Sequence, residues 1–323
     1  MSGVDMPNSV LIAIGGNALL QEGEPNSLDL QLTRAAHIGE EVAELVANGY
    51  RVVLTHGNGP QVGSILRRSE MAAEVAEPDE LSDLPIWLAV ADSKGGLGHI
   101  LGMAINNALA RRGLATRAVT VLTHIEVDAA DPAFELPTKP IGAVLGEAMA
   151  AQERAAGHQL VKVQGGYRRV VPSPRPISVV ELAQIQAVAA ADAVVIAGGG
   201  GGVPVVRDGT GWRSVEAVID KDFTSALIAA GLGIRTMVLV TSVDHAYVGF
   251  GTENARRLDR ISADEARRYL AAGEFPPGSM GPKVEASLAY LDEGGHQAVI
   301  TSLASIHEAL DGKDGTYITQ EAP

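Results

Sequence analysis

The sequence predicts an α/β fold built on a mostly parallel sheet with helices covering both faces. Three observations carry this reading. Short apolar runs rich in β-branched residues alternate with amphipathic helical stretches. Glycine clusters follow several of those runs, and 46% of the 323 residues are hydrophobic, enough for a substantial core.

The first run, Ser9–Ile14, leads into Gly15-Gly16-Asn17. Apolar residues then recur at helical spacing from Leu28 to Asn48, with Ser27 as N-cap and Gly49 as stop. Arg51–Thr55 is the second strand and ends at His56-Gly57-Asn58-Gly59-Pro60. Ala118–Leu122, Ala193–Ala197, Met237–Val240 and Ala298–Thr301 repeat the strand pattern. Ser178…Glu181 and Ser262…Glu265 both match the capping box that opens a helix. Asp208-Gly209, between two β-rich runs, marks a hairpin. Two proline-bearing stretches, Asp128–Gly142 and Val161–Pro176, break the rhythm and flank a helical pattern at Ala143–Gly157. Residues 128–176 are therefore expected to leave the main sheet as a small lid.

Composition narrows the function. The formal net charge of −14 disfavours nucleic acid, whose phosphates want a basic surface. No cysteine is present, which excludes disulfides and thiolate chemistry. No apolar run is long enough to span a membrane, and Met1 to Ser9 lacks a signal-peptide layout, so a cytoplasmic globular protein is expected. The eight histidines show no metal-binding spacing, and no metal ligand is assigned.

Ligands of open α/β sheets bind beyond the carboxyl ends of the strands, where Gly15-Gly16-Asn17, Gly57-Asn58-Gly59 and Gly198–Gly202 all fall. Such loops bring backbone N–H groups up to an anion. A Walker A motif is absent. Gly198–Gly202 followed by Asp220 would allow a dinucleotide site, but a hairpin signal, not a helix, follows the glycines. The lysines point elsewhere. Only six exist, and Lys139, Lys221 and Lys283 lie in Gly-, Pro- or Asp-rich loops at element ends. Phosphoryl transfer needs cations placed in that way, to neutralise charge on the moving group. An Asp beside such lysines can hold them in position.

These residues resemble carbamate kinases of the amino-acid kinase superfamily. The matching segments are Ile14–Leu19, Thr55–Gly63, Lys139–Gly142, Tyr167–Pro174, Ile196–Val205, Ala217–Asp222 and Gly278–Lys283, in family order along nearly the whole chain. The resemblance implies a three-layer αβα sandwich of amino-acid kinase type, spanning residues 1–323 as one domain and forming a homodimer. Residues 1–190 would form the acceptor and phosphoryl half and 191–323 the nucleotide half. It implies ATP/ADP and Mg²⁺ as cofactors, and the exchange of a phosphoryl group between ATP and carbamate. Gly15, Gly16, Asn17, Gly57 and Asn58 would hold the small acid and the phosphoryl group. Lys139, Lys221 and Lys283 would be catalytic, with Asp222 as their organiser. Gly198, Gly199, Gly200, Asp244, Tyr247, Val248, Met280 and Gly281 would contact the nucleotide.

One motif departs from the family. Similar enzymes read Ser/Thr-Gln-Gly-x-Ile-Gly-Tyr where this chain has Ser93-Lys94-Gly95-Gly96-Leu97-Gly98-His99. Lys94 is counted with the substrate-binding residues. If Lys94 and His99 lined the pocket, the acceptor would carry more charge than carbamate. That leaves a kinase for another small carboxylic acid, or a nucleotide-binding regulator, as alternatives. A Lys94 at the rim or in solvent is expected, with carbamate as acceptor, because an unpaired buried cation costs several kcal/mol. His56 is expected to brace its glycine loop, and Trp87 and Trp212 to pack. At most one of Arg168 and Arg169 is expected to reach a phosphate, since neighbours in an extended segment point opposite ways.

Overall fold

The computed structural model describes residues 8–20, 24, 27–77 and 80–321, except the side chain of Asn17. An eight-stranded sheet forms its centre. Edge to edge, the strands are Arg260–Ser262, Thr316–Thr319, Gln297–Ser302, Thr236–Thr241, Ser9–Ile14, Arg51–His56, Val194–Ile196 and Ala118–Thr120. Every neighbouring pair is parallel except Gln297–Ser302 with Thr316–Thr319. The expected mostly parallel sheet is present.

Successive side chains of a strand point to opposite faces, and both faces here are covered. Leu11 and Ala13 join one core with Val53, Val195, Leu239 and Ile300. Val10, Ile12 and Ile14 join the other with Leu54, Ile196, Val240 and Val299. Helices Leu28–Ala47 and Ile86–Arg111 cover the second face, sending Ile38, Val42, Leu101 and Ile105 into it. Ser27 caps the first of these by accepting from Leu30 N–H, as its sequence position predicts. Helices Lys221–Gly231 and Met280–Asp292 cover the opposite face with Ile228, Val284 and Leu288. Among the described residues, no helix is long and apolar enough to cross a membrane.

Among the described residues three smaller sheets accompany the main one, the smallest being the two-stranded pair Ala246–Val248 and Arg256–Leu258. Gly211–Ser214, Val203–Asp208, His124–Val127 and Pro176–Val179 form a four-stranded sheet that includes the hairpin at Asp208-Gly209. The excursion itself is a three-stranded antiparallel sheet, Lys139–Leu145, Gly166–Val171 and Leu160–Val163, with helix Glu147–Ala155. That helix is shorter than the pattern at Ala143–Gly157, because Ala143–Leu145 continue the strand. The excursion is fastened to helix Gln61–Val75 by backbone contact: a Cβ on Gly63 would lie 2.1 Å from Gly142 Cα.

The two capping boxes have different fates. Ser262 and Glu265 form theirs in full. Ser178 lies instead in strand Pro176–Val179 and donates to Glu126 Oε2 at 2.5 Å. Glu181 accepts from the backbone N–H of His124 at 2.8 Å and from its Nδ1 at 2.7 Å. Tertiary partners on the neighbouring strand outcompete the local cap. Arg169 pairs with Glu70 of helix Gln61–Val75 at 2.9 Å and ties the excursion down. Trp212 is partly exposed on the hairpin, with the Arg207 guanidinium 3.8 Å from its ring centre.

Gly63→Ala should separate the excursion from the body. Overpacking of this kind costs about 1–3 kcal/mol. The expected result is a lower Tm and earlier proteolytic cutting between residues 139 and 171, while main-sheet circular dichroism persists.

Candidate active site

Parallel register sends three glycine loops out of one sheet edge. Ile14 lies opposite His56, and Leu54 opposite Ile196, so Gly15-Gly16, Gly57-Asn58-Gly59 and Gly198–Gly202 start side by side. The loops touch. A Cβ on Gly16 would lie 2.5 Å from Gly59 N, and one on Gly57 2.6 Å from Gly16 N. Asn58 Nδ2 donates to Gly200 O at 3.4 Å and joins the second loop to the third. Gly200 has φ +58°, and its Cβ would fall 1.9 Å from Asn58 Oδ1, so only glycine fits. Glycine here serves loop-on-loop packing as well as approach to a ligand. Gly201 and Gly202 bond back to Gly198 O and Gly199 O at 3.0 Å.

Helix Lys221–Gly231 docks its first turn on these loops. Thr224 Oγ1 donates to Gly201 O at 2.7 Å, and the hydroxyls of Thr55 and Ser225 lie 2.7 Å apart. Asp220 caps the helix, accepting from Asp222 N–H at 3.0 Å. Its other oxygen accepts from Lys139 Nζ at 2.5 Å, which brings the excursion's lysine to the main body. Asp222 lies between the other two lysines. Lys283 Nζ donates to Asp222 Oδ2 at 3.0 Å, and Lys221 donates to Oδ1. All four residues expected to be catalytic therefore meet at one place, beside the glycine loops. Asp220 completes the group. The sequence reading left it out of the site, although a helix-capping Asp next to Lys221 was its signal.

Burial sets the charges. It pulls Lys221 down to about 8; Asp222 resists this, and the nearby Lys283 adds to it. Burial also opposes ionisation of Asp222, but the two ammonium groups more than offset it and hold its carboxyl well below the usual range. His56 is almost wholly buried, and burial, with the charges of Lys94 and Lys221, lowers it to about 4. It is neutral and donates from Nδ1 to Gly57 O at 3.1 Å, bracing the loop as expected.

Lys94 does not lie at the rim. It is 3% exposed, on helix Ile86–Arg111, and its Nζ has no hydrogen-bond partner among the described residues. Val90, Lys94, Leu97 and Leu101 share one buried stripe, and that spacing was the signal that placed Lys94 inside. Burial pushes its ammonium well below the ordinary value of 10.5, with the charge of Glu181 opposing the shift. His99 is exposed, on another face of the helix. The two departures from the family motif therefore do not act together. Ser93, beside Lys94, donates to Asn58 Oδ1 at 3.0 Å.

The remaining candidates lie across the sheet edge. Asp244, Tyr247 and Val248 follow strand Thr236–Thr241, the last two in a hairpin that pairs Ala246–Val248 with Arg256–Leu258. Asp244 accepts from Ser305 Oγ at 3.4 Å, and the Tyr247 ring lies 5.9 Å from that of Phe250. Met280 and Gly281 open the helix that carries Lys283, with Gly281 N–H donating to Pro276 O at 2.9 Å. The Asn17 side chain falls outside the described residues. Among the described residues, no group of three or more His, Asp or Glu side chains is placed to hold a metal.

Comparison with known proteins gives a consistent picture. The model of the amino acid kinase family matches residues 8–302. The carbamate kinase-like protein YahI of Escherichia coli K12 is 42% identical over 317 residues, covering 97% of this chain and 99% of its own. The carbamate kinase of Pyrococcus horikoshii is 39% identical over 316 residues, 97% of this chain and 100% of its own. Among solved structures, carbamate kinase from Giardia lamblia bound to AMP-PNP superposes with a TM-score of 0.88 at 36% identity. The match covers 97% of this chain and 99% of that one.

The burial of Lys94 has a measurable consequence. Between its buried value and 10.5, the unfolded chain holds a proton that the folded chain lacks, so stability rises with pH across that window. Lys94→Met should therefore raise Tm at neutral pH, and the gain should shrink as pH approaches 10.5. A thermal-melt series against pH reads this directly. A variant less stable than the parent at pH 7 would mean that Lys94 is paired and charged.

Proposed function

The chain belongs to the amino acid kinase family, and on that premise we propose that it moves a phosphoryl group between ATP and carbamate. Written in balance, carbamoyl phosphate and ADP give carbamate and ATP, with one P–O bond broken and one formed. The observation that carries this reading is Asp222 gripped by Lys221 and Lys283, beside the Asp220–Lys139 pair and against three glycine loops.

The residue roles follow from that arrangement. The transferring group spreads negative charge over its oxygens, and preorganised cations stabilise it without reorganising during the reaction. Lys221 and Lys283 are held for this by Asp222, and Lys139 by Asp220. No base is needed, because the carbamate oxygen that attacks phosphorus is already an anion. Gly15, Gly16, Asn17, Gly57 and Asn58 receive the acid and the phosphoryl group. Gly198, Gly199, Gly200, Asp244, Tyr247, Val248, Met280 and Gly281 receive the nucleotide. The halves divide near residue 190, and the excursion carries Lys139 over the site as a lid.

Both carboxylates at the centre are engaged by lysines. Mg²⁺ fits this site as a companion of the nucleotide phosphates, where it would neutralise their charge. A homodimer is supported by the edge strand Ala118–Thr120. Val119, Leu122 and Met103 are exposed beside it, and a second copy would cover that edge. Dependence on ATP and ADP favours a cytoplasmic location.

Purified protein given Mg²⁺, ADP and carbamoyl phosphate should produce ATP, read by luminescence; absence of ATP would overturn the reading. Lys283→Ala should lower kcat by at least about 10², with unchanged far-UV circular dichroism. Lys221 loses its charge above about 8, so kcat/KM should fall on the alkaline side with a midpoint near that value. A profile flat well beyond it would remove Lys221 from the charge-stabilising set.

A further inference from the structure

The excursion joins the body through two chain segments, residues 128–138 on the way out and 172–175 on the way back. Asp131 ties them together at their base. One of its oxygens accepts from Ala133 N–H at 2.8 Å, and the other accepts from the backbone N–H of Arg175 at 2.9 Å. On the return segment, Pro172 O accepts from Val218 N–H at 2.9 Å. The Arg175 side chain then crosses to the body. Its guanidinium lies 3.6 Å from the centre of the Phe223 ring and donates to Glu285 Oε2.

Both contacts are neighbours of the charge cluster. Phe223 follows Lys221 and Asp222 in the first turn of helix Lys221–Gly231, and Glu285 lies two residues after Lys283 in helix Met280–Asp292. One exposed side chain therefore grips both helices that supply the cluster. Its own segment leads back to the third lysine, because Val171, four residues before Arg175, stands opposite Lys139 in the antiparallel ladder of the excursion. The other fastenings, the Gly63–Gly142 contact and the Arg169–Glu70 pair, hold the excursion to helix Gln61–Val75 and not to the helices that bear the lysines. Lys139 itself is paired with Asp220, and a partly exposed ion pair is a weak determinant of position.

We propose that Arg175 is a positioning residue: by clasping Phe223 and Glu285 it fixes the base of the excursion against the two lysine-bearing helices, and so sets the reach of Lys139 towards the transferring phosphoryl group. The inference rests on the phosphoryl-transfer reading above. Arginine suits the task, since its planar, permanently charged guanidinium can stack on a ring and pair with a carboxylate at once. The side chain is 59% exposed, so its replacement opens no cavity in the core.

The test follows ATP formation from carbamoyl phosphate and ADP in the parent protein, Arg175→Met, Lys139→Met and the double variant. Arg175→Met keeps a long side chain beside Phe223 but loses the charge and the bond to Glu285. It should lower kcat at least about fivefold and leave both KM values within about twofold, and Arg175→Lys should recover part of the loss. Because the effect runs through Lys139, adding Arg175→Met to Lys139→Met should lower kcat no further. An equal loss in that background would mean a general structural role and would overturn the proposal. Unchanged kcat in Arg175→Met, or a loss confined to KM, would overturn it too. Proteolysis between residues 139 and 171 reads the clasp without turnover and should be faster in Arg175→Met; cutting at the parental rate counts against the clasp whatever the activity. A parent inert with carbamoyl phosphate would instead overturn the underlying phosphoryl-transfer reading.

Discussion

Asp222 is a buried carboxylate that stays ionised because two lysines grip it, and it in turn opposes the burial that pulls Lys221 down. Each half of this arrangement is unfavourable alone. A carboxylate removed from water resists ionisation, and two neighbouring ammonium groups repel. Together they form a rigid cationic cluster in a protein whose formal net charge is −14. The cluster also depends on elements far apart in the chain. Asp222 and Lys283 are separated by 61 residues, and Asp220 and Lys139 by 81. The fold must be complete before the site exists.

The parallel sheet is what completes it. Register between adjacent strands ends three of them at one edge, and strict alternation buries each strand on both faces, so the edge is stiff. Glycine then lets the loops meet backbone to backbone. The Thr224 hydroxyl docks helix Lys221–Gly231 on the third loop, that of Ser225 meets Thr55 on strand Arg51–His56, and Asp220 both starts the helix and holds Lys139. One capping residue thus links secondary structure, the excursion and the charge cluster.

Much of this was legible in the sequence, because the signals were local. Continuous β-branched runs gave the strands, Ser27 and Ser262–Glu265 gave helix starts, and the rare lysines beside Asp222 marked the centre. What was missed depends on partners distant in sequence. Ser178 and Glu181 have the spacing of a cap, yet Glu126 and His124 claim them. Ala143–Leu145 read as helix but continue a strand, because Gly166–Val171 pairs alongside. The cost of burying a charge argued for an exposed Lys94, but its place on an apolar stripe prevailed, and burial lowers its pKa instead.

The lysine–carboxylate pairs set the charge balance of the site. Burial, with the charges of Lys94 and Lys221, keeps His56 neutral, so it adds nothing to that balance. Three lysines face two carboxylates, Asp220 and Asp222. That cluster carries one more positive than negative charge, while a nucleotide with a transferring phosphoryl group brings several negative ones. Lysines locked to carboxylates give direction to the charge they offer but cannot neutralise it all. The deficit is what a divalent cation travelling with the nucleotide would supply. A site that keeps its own acids occupied leaves that cation to the phosphates.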